Sequence, residues 1–143
     1  MTGATRRPVV KGLFQTDDVA QTRLVGTRCT ACDTLYFPQA ISCRNPDCVD
    51  KSIEPVLLPA TGIVHSFTIQ RYPPPPAFRI DDWAPYAILL VDLGEGLQVM
   101  GMMREGNFEN LAIGMPVRVI EAALYADAGD EVTTYMFAPI ETI

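Results

Sequence analysis

The sequence predicts a mainly β protein, a small metal-organised module followed by an antiparallel barrel. Three observations predict it. The four cysteines of the chain, Cys29, Cys32, Cys43 and Cys48, all fall in one short stretch. From residue 53 onward, runs rich in β-branched and aromatic residues follow one another, each bounded by turn formers. Short glycine-bearing connections of the kind that close hairpins join several of these runs.

Residues 1–12 carry Arg6, Arg7, Pro8 and Lys11 with no apolar period, and read as a mobile or partner-dependent arm. Residues 13–52 form the first module. Its start allows a short helix from Thr16 towards Leu24, with Thr16 as cap and Asp17 and Asp18 in a first turn that favours carboxylates. Residues 24–28 and 35–37 then read as short strands flanking the first cysteine pair, the way a zinc ribbon presents its thiolates.

Two thiolates three positions apart reach one ion when the backbone between them turns sharply, and a second pair completes a tetrahedron. Four sulfurs leave no position for water or substrate, so a zinc ion held this way is structural. The second pair has four residues between Cys43 and Cys48, and Asn45-Pro46-Asp47 supplies turn formers for that longer loop. Two disulfides are the alternative reading. Against them, no signal peptide with a basic start and an apolar core precedes the cluster.

Residues 53–143 form the second module. Strands are predicted over 53–58, 63–71, 86–93, 97–103, 117–125 and 133–138, with hairpin connections at Gly94-Glu95-Gly96 and Asp127-Ala128-Gly129-Asp130. A helix of one or two turns is expected over 107–111, capped by Asn107. Five strands with a small helix after the third match the five-stranded OB-fold barrel, whose interior is filled and whose ligands bind outside. Between the first two barrel strands lies a long loop, 71–85, with four consecutive prolines. Prolines pre-set an extended backbone that loses little entropy on docking. The loop also gathers Arg71, Tyr72, Phe78, Arg79 and Trp83, residue types that dominate interface hot spots. It reads as the recognition element, with a packed lid as the alternative.

A net charge of −6 opposes nucleic acid as main partner, since phosphate binding is driven by Lys and Arg releasing counterions. No apolar run approaches the roughly twenty residues of a spanning helix. An independent enzyme needs a nucleophile with a base, a carboxylate pair or an open metal site, and none is readable. With every cysteine on the metal, no thiol is left as nucleophile. His65 alternates with Ile63, Phe67 and Ile69 on one strand face and reads as a packed side chain.

The order of motifs carries a resemblance: Cys29-x-x-Cys32, Tyr36-Phe37-Pro38, Gly62-x-Val64-x-Ser66-Phe67-Thr68, Arg71, Pro85-Tyr86-Ala87 and Ile113-Gly114-Met115-Pro116-Val117. Over about residues 24–139 the chain resembles the zinc-ribbon and OB-fold proteins known as domain of unknown function 35. Asp33, Gln39-Ala40 and Gln70 stand where that family often has glycine, a basic residue and histidine.

The resemblance implies a rubredoxin-like zinc ribbon followed by an OB-fold. It also implies a non-catalytic accessory subunit of a thiolase-fold enzyme acting on acyl-CoA, in a heterotetramer; the charge, the lack of a spanning run and the lack of a signal peptide add the expectation of a cytoplasmic protein with no nucleic-acid or membrane role. Companions of hydratases and aldolases belong to the same family, and a free-standing acyl-CoA carrier is a further reading. The residues expected to face partner or acyl-CoA are Arg71, Tyr72, Pro74, Phe78, Arg79 and Trp83.

Overall fold

The computed structural model describes residues 6–73, 84–103 and 111–140. These residues form ten strands in two sheets and, among the described residues, no helix. The first sheet is the ribbon: β2 (Phe14–Thr16), β3 (Thr22–Cys29), β4 (Leu35–Tyr36) and β5 (Ile53–Leu57). The second comprises β1 (Arg6–Pro8), β6 (Thr61–Gln70), β7 (Tyr86–Gly94), β8 (Leu97–Met103), β9 (Pro116–Asp127) and β10 (Asp130–Pro139). Its order is β1-β10-β9-β6-β7-β8.

Strands form where the sequence alternates. In β7, Ala87, Leu89, Val91 and Leu93 enter the main core, where they join Val64, Val99, Val117, Val119 and Phe137. The free sides of β8 and β10 approach across the barrel seam because Gly101 has no side chain; a Cβ there would lie 2.6 Å from the Phe137 ring. The Tyr135 hydroxyl donates to the Met100 carbonyl across the same seam. The predicted hairpins are present. Ala128 and Gly129 have φ of 52° and 87° between paired Asp127 and Asp130, the two-residue turn that matches strand twist.

Four expectations change. The helix from Thr16 is replaced by a turn joining β2 to β3: the Asp17 carboxylate accepts the amides of Val19 and Gln21, each at 3.0 Å, and Ala20 takes a left-handed φ of 61°. A carboxylate spent on a tight turn is lost to helix capping. Arg6–Pro8, read as arm, instead pairs in parallel with β10. Arg6 meets Glu131 at 3.1 Å, and Arg7 pairs with Asp127 and Asp130. Ile53–Leu57, grouped above with the barrel, pairs with β3 and completes the ribbon sheet.

The fourth concerns His65. Val64 pairs with Val91 and Ser66 with Leu90, so His65 is the extra residue of a bulge. It is exposed, as are Ile63 and Phe67, and the bulge interrupts the two-residue alternation on which packing was argued. The helix expected over 107–111 falls almost wholly outside the described residues.

The two sheets share one core. Leu24, Leu35 and Leu58 of the ribbon region pack in the same buried cluster as the barrel residues, with Phe14 and Phe37 against it. Arg23 straps the junction from the ribbon side: its Nε donates to the Leu58 carbonyl at 2.8 Å and its head lies 3.8 Å from Asp17. No helix of the described residues is long and apolar enough to cross a membrane.

Candidate metal centre

The end of β3 and the turn after it deliver the first two thiols. Cys29 is the last residue of β3; its amide donates to the Thr34 carbonyl at 3.0 Å, and the Asp33 amide returns to the Cys29 carbonyl at 2.8 Å. That closure needs a left-handed residue, and Asp33 supplies it with φ of 64°. Asp is one of the few non-glycine residues that adopts this conformation, since its short carboxylate bonds locally. The departure from glycine therefore leaves the knuckle intact.

The second pair is delivered by the 43–48 loop. The Asn45 side chain accepts the Asp47 amide at 3.0 Å, and the Asn45 carbonyl accepts the Cys48 amide at 3.1 Å. The turn-forming residues thus bend the longer spacing so that both sulfurs face inward. Lys51 fastens the loop by donating to the carbonyls of Cys43 at 3.1 Å and Asn45 at 2.7 Å.

All four sulfurs lie within 4.8 Å of one another. Cys29 and Cys48 are 3.7 Å apart and Cys32 and Cys43 3.6 Å. A tetrahedron with zinc–sulfur bonds of about 2.3 Å has edges of about 3.8 Å, whereas a disulfide brings its sulfurs to about 2 Å. The geometry fits a four-thiolate zinc site. Cys29, Cys43 and Cys48 are buried, so the ion would be shielded from solvent and closed to substrate.

The electrostatics fit as well. Hydrogen bonds, from the Ser52 backbone first, hold the Cys29 thiol down to about 6 from an ordinary 9.0. The Thr34 side chain lowers Cys32 in the same way. Burial pushes Cys48 up to about 12, the cost of a thiolate in a dry site without a cation. A bound dication reverses that cost, because a coordinating thiol is deprotonated.

Of the remaining sequence-predicted site residues, the two described ones are not brought together with the sulfurs. Arg71 and Tyr72 follow the end of β6 and are exposed, Tyr72 at 76%. Pro74, Phe78, Arg79 and Trp83 lie outside the described residues. Sequence reasoning missed Thr34 and Tyr36, whose hydroxyls lie 3.1 Å from the Cys32 sulfur and 3.3 Å from the Cys43 sulfur. Their signal was present: the two residues sit two apart beside a strand, which places them on one face.

A cleft of about 430 Å³ opens between β1, β9, β10 and the start of β7, lined by Arg6, Pro85, Ile120, Glu121, Ala122 and Met136 among others. Its carboxylates are engaged. Glu131 pairs with Arg6 at 3.1 Å, and Glu121 accepts the Thr133 hydroxyl at 2.7 Å. Among the described residues, the cleft therefore presents no unpaired acid and base to a substrate.

Comparison with known proteins identifies both modules. The family model of the ChsH2 rubredoxin-like zinc ribbon domain matches residues 16–53, and that of the ChsH2 C-terminal OB-fold domain matches residues 55–120. A DUF35 domain-containing scaffold protein of Methanocaldococcus jannaschii is 33% identical over 121 residues, covering 82% of each chain. A probable enoyl-CoA hydratase alpha subunit of Thermomonospora curvata is 33% identical over 135 residues, covering 93% of this chain and 39% of that protein. Among solved structures, a chain of the Ltp2-ChsH2(DUF35) aldolase superposes with a TM-score of 0.62 at 33% identity, covering 82% of this chain and 84% of the other.

Proposed function

Because this chain belongs to the ChsH2-type family of zinc-ribbon and OB-fold proteins, with DUF35 scaffold proteins among its relatives, we propose that it is a non-catalytic accessory subunit of an acyl-CoA-processing complex. One observation carries the reading. All four cysteines face one another in a closed cluster, so the chain has no thiol left over for acyl transfer.

In this reading the zinc holds the ribbon in shape, the ribbon and barrel share one core, and the exposed end of β6 with its proline-rich loop meets the catalytic subunit. Arg71, Tyr72, Pro74, Phe78, Arg79 and Trp83 are the proposed partner-facing or acyl-CoA-facing residues. The companion acts by position: it helps enclose the reacting thioester and exclude water while the partner supplies the reacting groups. The partner we propose is a thiolase-fold subunit in a cytoplasmic heterotetramer.

A second reading places the chain beside a hydratase or an aldolase, and the names of the hydratase alpha subunit and of the aldolase structure favour it. Co-purification of the tagged chain from its native cell, followed by identification of the large protein that accompanies it, separates the two. A thiolase fold supports the first reading and a hydratase or aldolase the second. Turnover of a thioester by the isolated chain would overturn both.

A further inference from the structure

We propose that Thr34 and Tyr36 act as a pair of hydroxyl donors that hold the Cys32 and Cys43 thiolates from outside the coordination sphere and set how tightly the ribbon retains its zinc. The two cysteines form one edge of the sulfur tetrahedron, 3.6 Å long. The Thr34 hydroxyl lies 3.1 Å from one sulfur and the Tyr36 hydroxyl 3.3 Å from the other.

The direction of the Tyr36 bond follows from its other partner. The Arg44 amide donates to the Tyr36 oxygen at 2.7 Å, so that oxygen acts as acceptor there and its own proton is left for the sulfur. A metal-bound thiolate has no proton to give, so both hydroxyls donate.

The long second loop explains why a side chain is needed. In tight knuckles, backbone amides of the loop itself stabilise the thiolate. In the 43–48 loop the Arg44 amide goes to Tyr36, the Asp47 amide to the Asn45 side chain and the Cys48 amide to the Asn45 carbonyl. Pro46 has no amide proton. Four of the five residues after Cys43 therefore withhold their amides from its sulfur, and Tyr36 fills the place. The hydroxyl is itself held in position: the Arg44 guanidinium lies over the Tyr36 ring at 5.6 Å, and Lys51 anchors the loop carbonyls.

Outer contacts of this kind are worth about 10–100-fold in metal affinity. The experiment follows zinc transfer from the zinc-loaded full chain to a chromophoric chelator for Tyr36→Phe, Thr34→Val and Thr34→Ser, with the cadmium-113 resonance of the cadmium-substituted proteins recorded alongside. Release is expected to accelerate about tenfold in Tyr36→Phe and Thr34→Val, with shifted cadmium resonances, and to stay near the native rate in Thr34→Ser. Native release rates and an unmoved cadmium resonance in Tyr36→Phe would overturn the proposal. Should Tyr36→Phe fail to fold, the native cadmium protein decides. A slowly exchanging Tyr36 hydroxyl proton coupled to cadmium supports the proposal, and a rapidly exchanging, uncoupled one sinks it.

Discussion

Phe37 and Tyr135 meet edge to face, with ring centroids 5.5 Å apart and planes at 89°. The first follows the last ribbon residue of β4 and the second lies on β10, so the contact joins the metal-bearing sheet to the barrel. Tyr135 in turn meets Phe137 at 6.2 Å and donates its hydroxyl to Met100, which places it where ribbon, seam and barrel core converge. Phe37→Ala is expected to destabilise the protein by about 2–3 kcal/mol, from lost apolar burial plus the ring pair. Tyr135→Phe keeps the ring and loses one hydrogen bond, at about 1 kcal/mol. Urea titration of the two variants checks both values and their order.

Burial pushes the Tyr135 hydroxyl up to about 12 from an ordinary value of 10.0. A raised folded value means that the neutral form is favoured by folding, so this contribution is fully present below pH 10 and is lost as pH rises through 12. Alkaline unfolding monitored by circular dichroism should show this loss, and Tyr135→Phe should remove that part of the pH dependence. An unchanged alkaline limb in Tyr135→Phe would assign the loss to other groups.

Removing a ligand should cost the ribbon its metal. Cys29→Ser and Cys43→Ser are expected to bind less than one zinc per chain and to lose the β3–β5 pairing, because the binding energy of a closed zinc site is folding energy. Metal analysis with amide hydrogen exchange of residues 22–29 and 53–57 gives the readout. Retention of one zinc and of protection in both variants would mean that the ion is not held by these sulfurs.

Asp33 carries the left-handed turn of the first knuckle at φ of 64°. Asp33→Gly relieves the residual strain and is expected to be neutral or stabilising by up to about 1 kcal/mol. Asp33→Val puts a β-branched side chain in the same conformation and should destabilise by about 1–2 kcal/mol. Thermal melts of the zinc-loaded variants should rank glycine at or above native and valine well below.

Tyr72 is 76% exposed at the mouth of the proline-rich loop. As a partner anchor, Tyr72→Ala should weaken association with the catalytic subunit by about 1–4 kcal/mol while leaving the melting temperature of the isolated chain unchanged. Phe78→Ala and Trp83→Ala are expected to act in the same way. Calorimetric titration with the co-purified partner measures the loss, and native affinity in all three would demote the loop from contact to packing.

The barrel strands were legible because alternation is local. Each of the runs 86–93, 97–103 and 117–125 carries its own two-residue pattern, and the strands Tyr86–Gly94, Leu97–Met103 and Pro116–Asp127 follow within a few residues. The cysteines were legible for the same reason: spacings of three and five positions already limit which sulfurs reach one ion. The Asp17 turn was not legible, since the same residues cap a helix or close a turn, and the pairing of β2 with β3 selects the turn.

Composition, periodicity and cysteine spacing thus sufficed for the mainly β class and the sulfur quartet, because both rest on interactions between near neighbours in the chain. Pairing across long separations settled the rest. Arg7 closes on Asp127 and Asp130, Ile53–Leu57 joins the ribbon instead of the barrel, and His65 falls in a bulge of the β6–β7 pairing. Which partner each group meets depends on how strands register once the core has closed, and no local pattern contains that register.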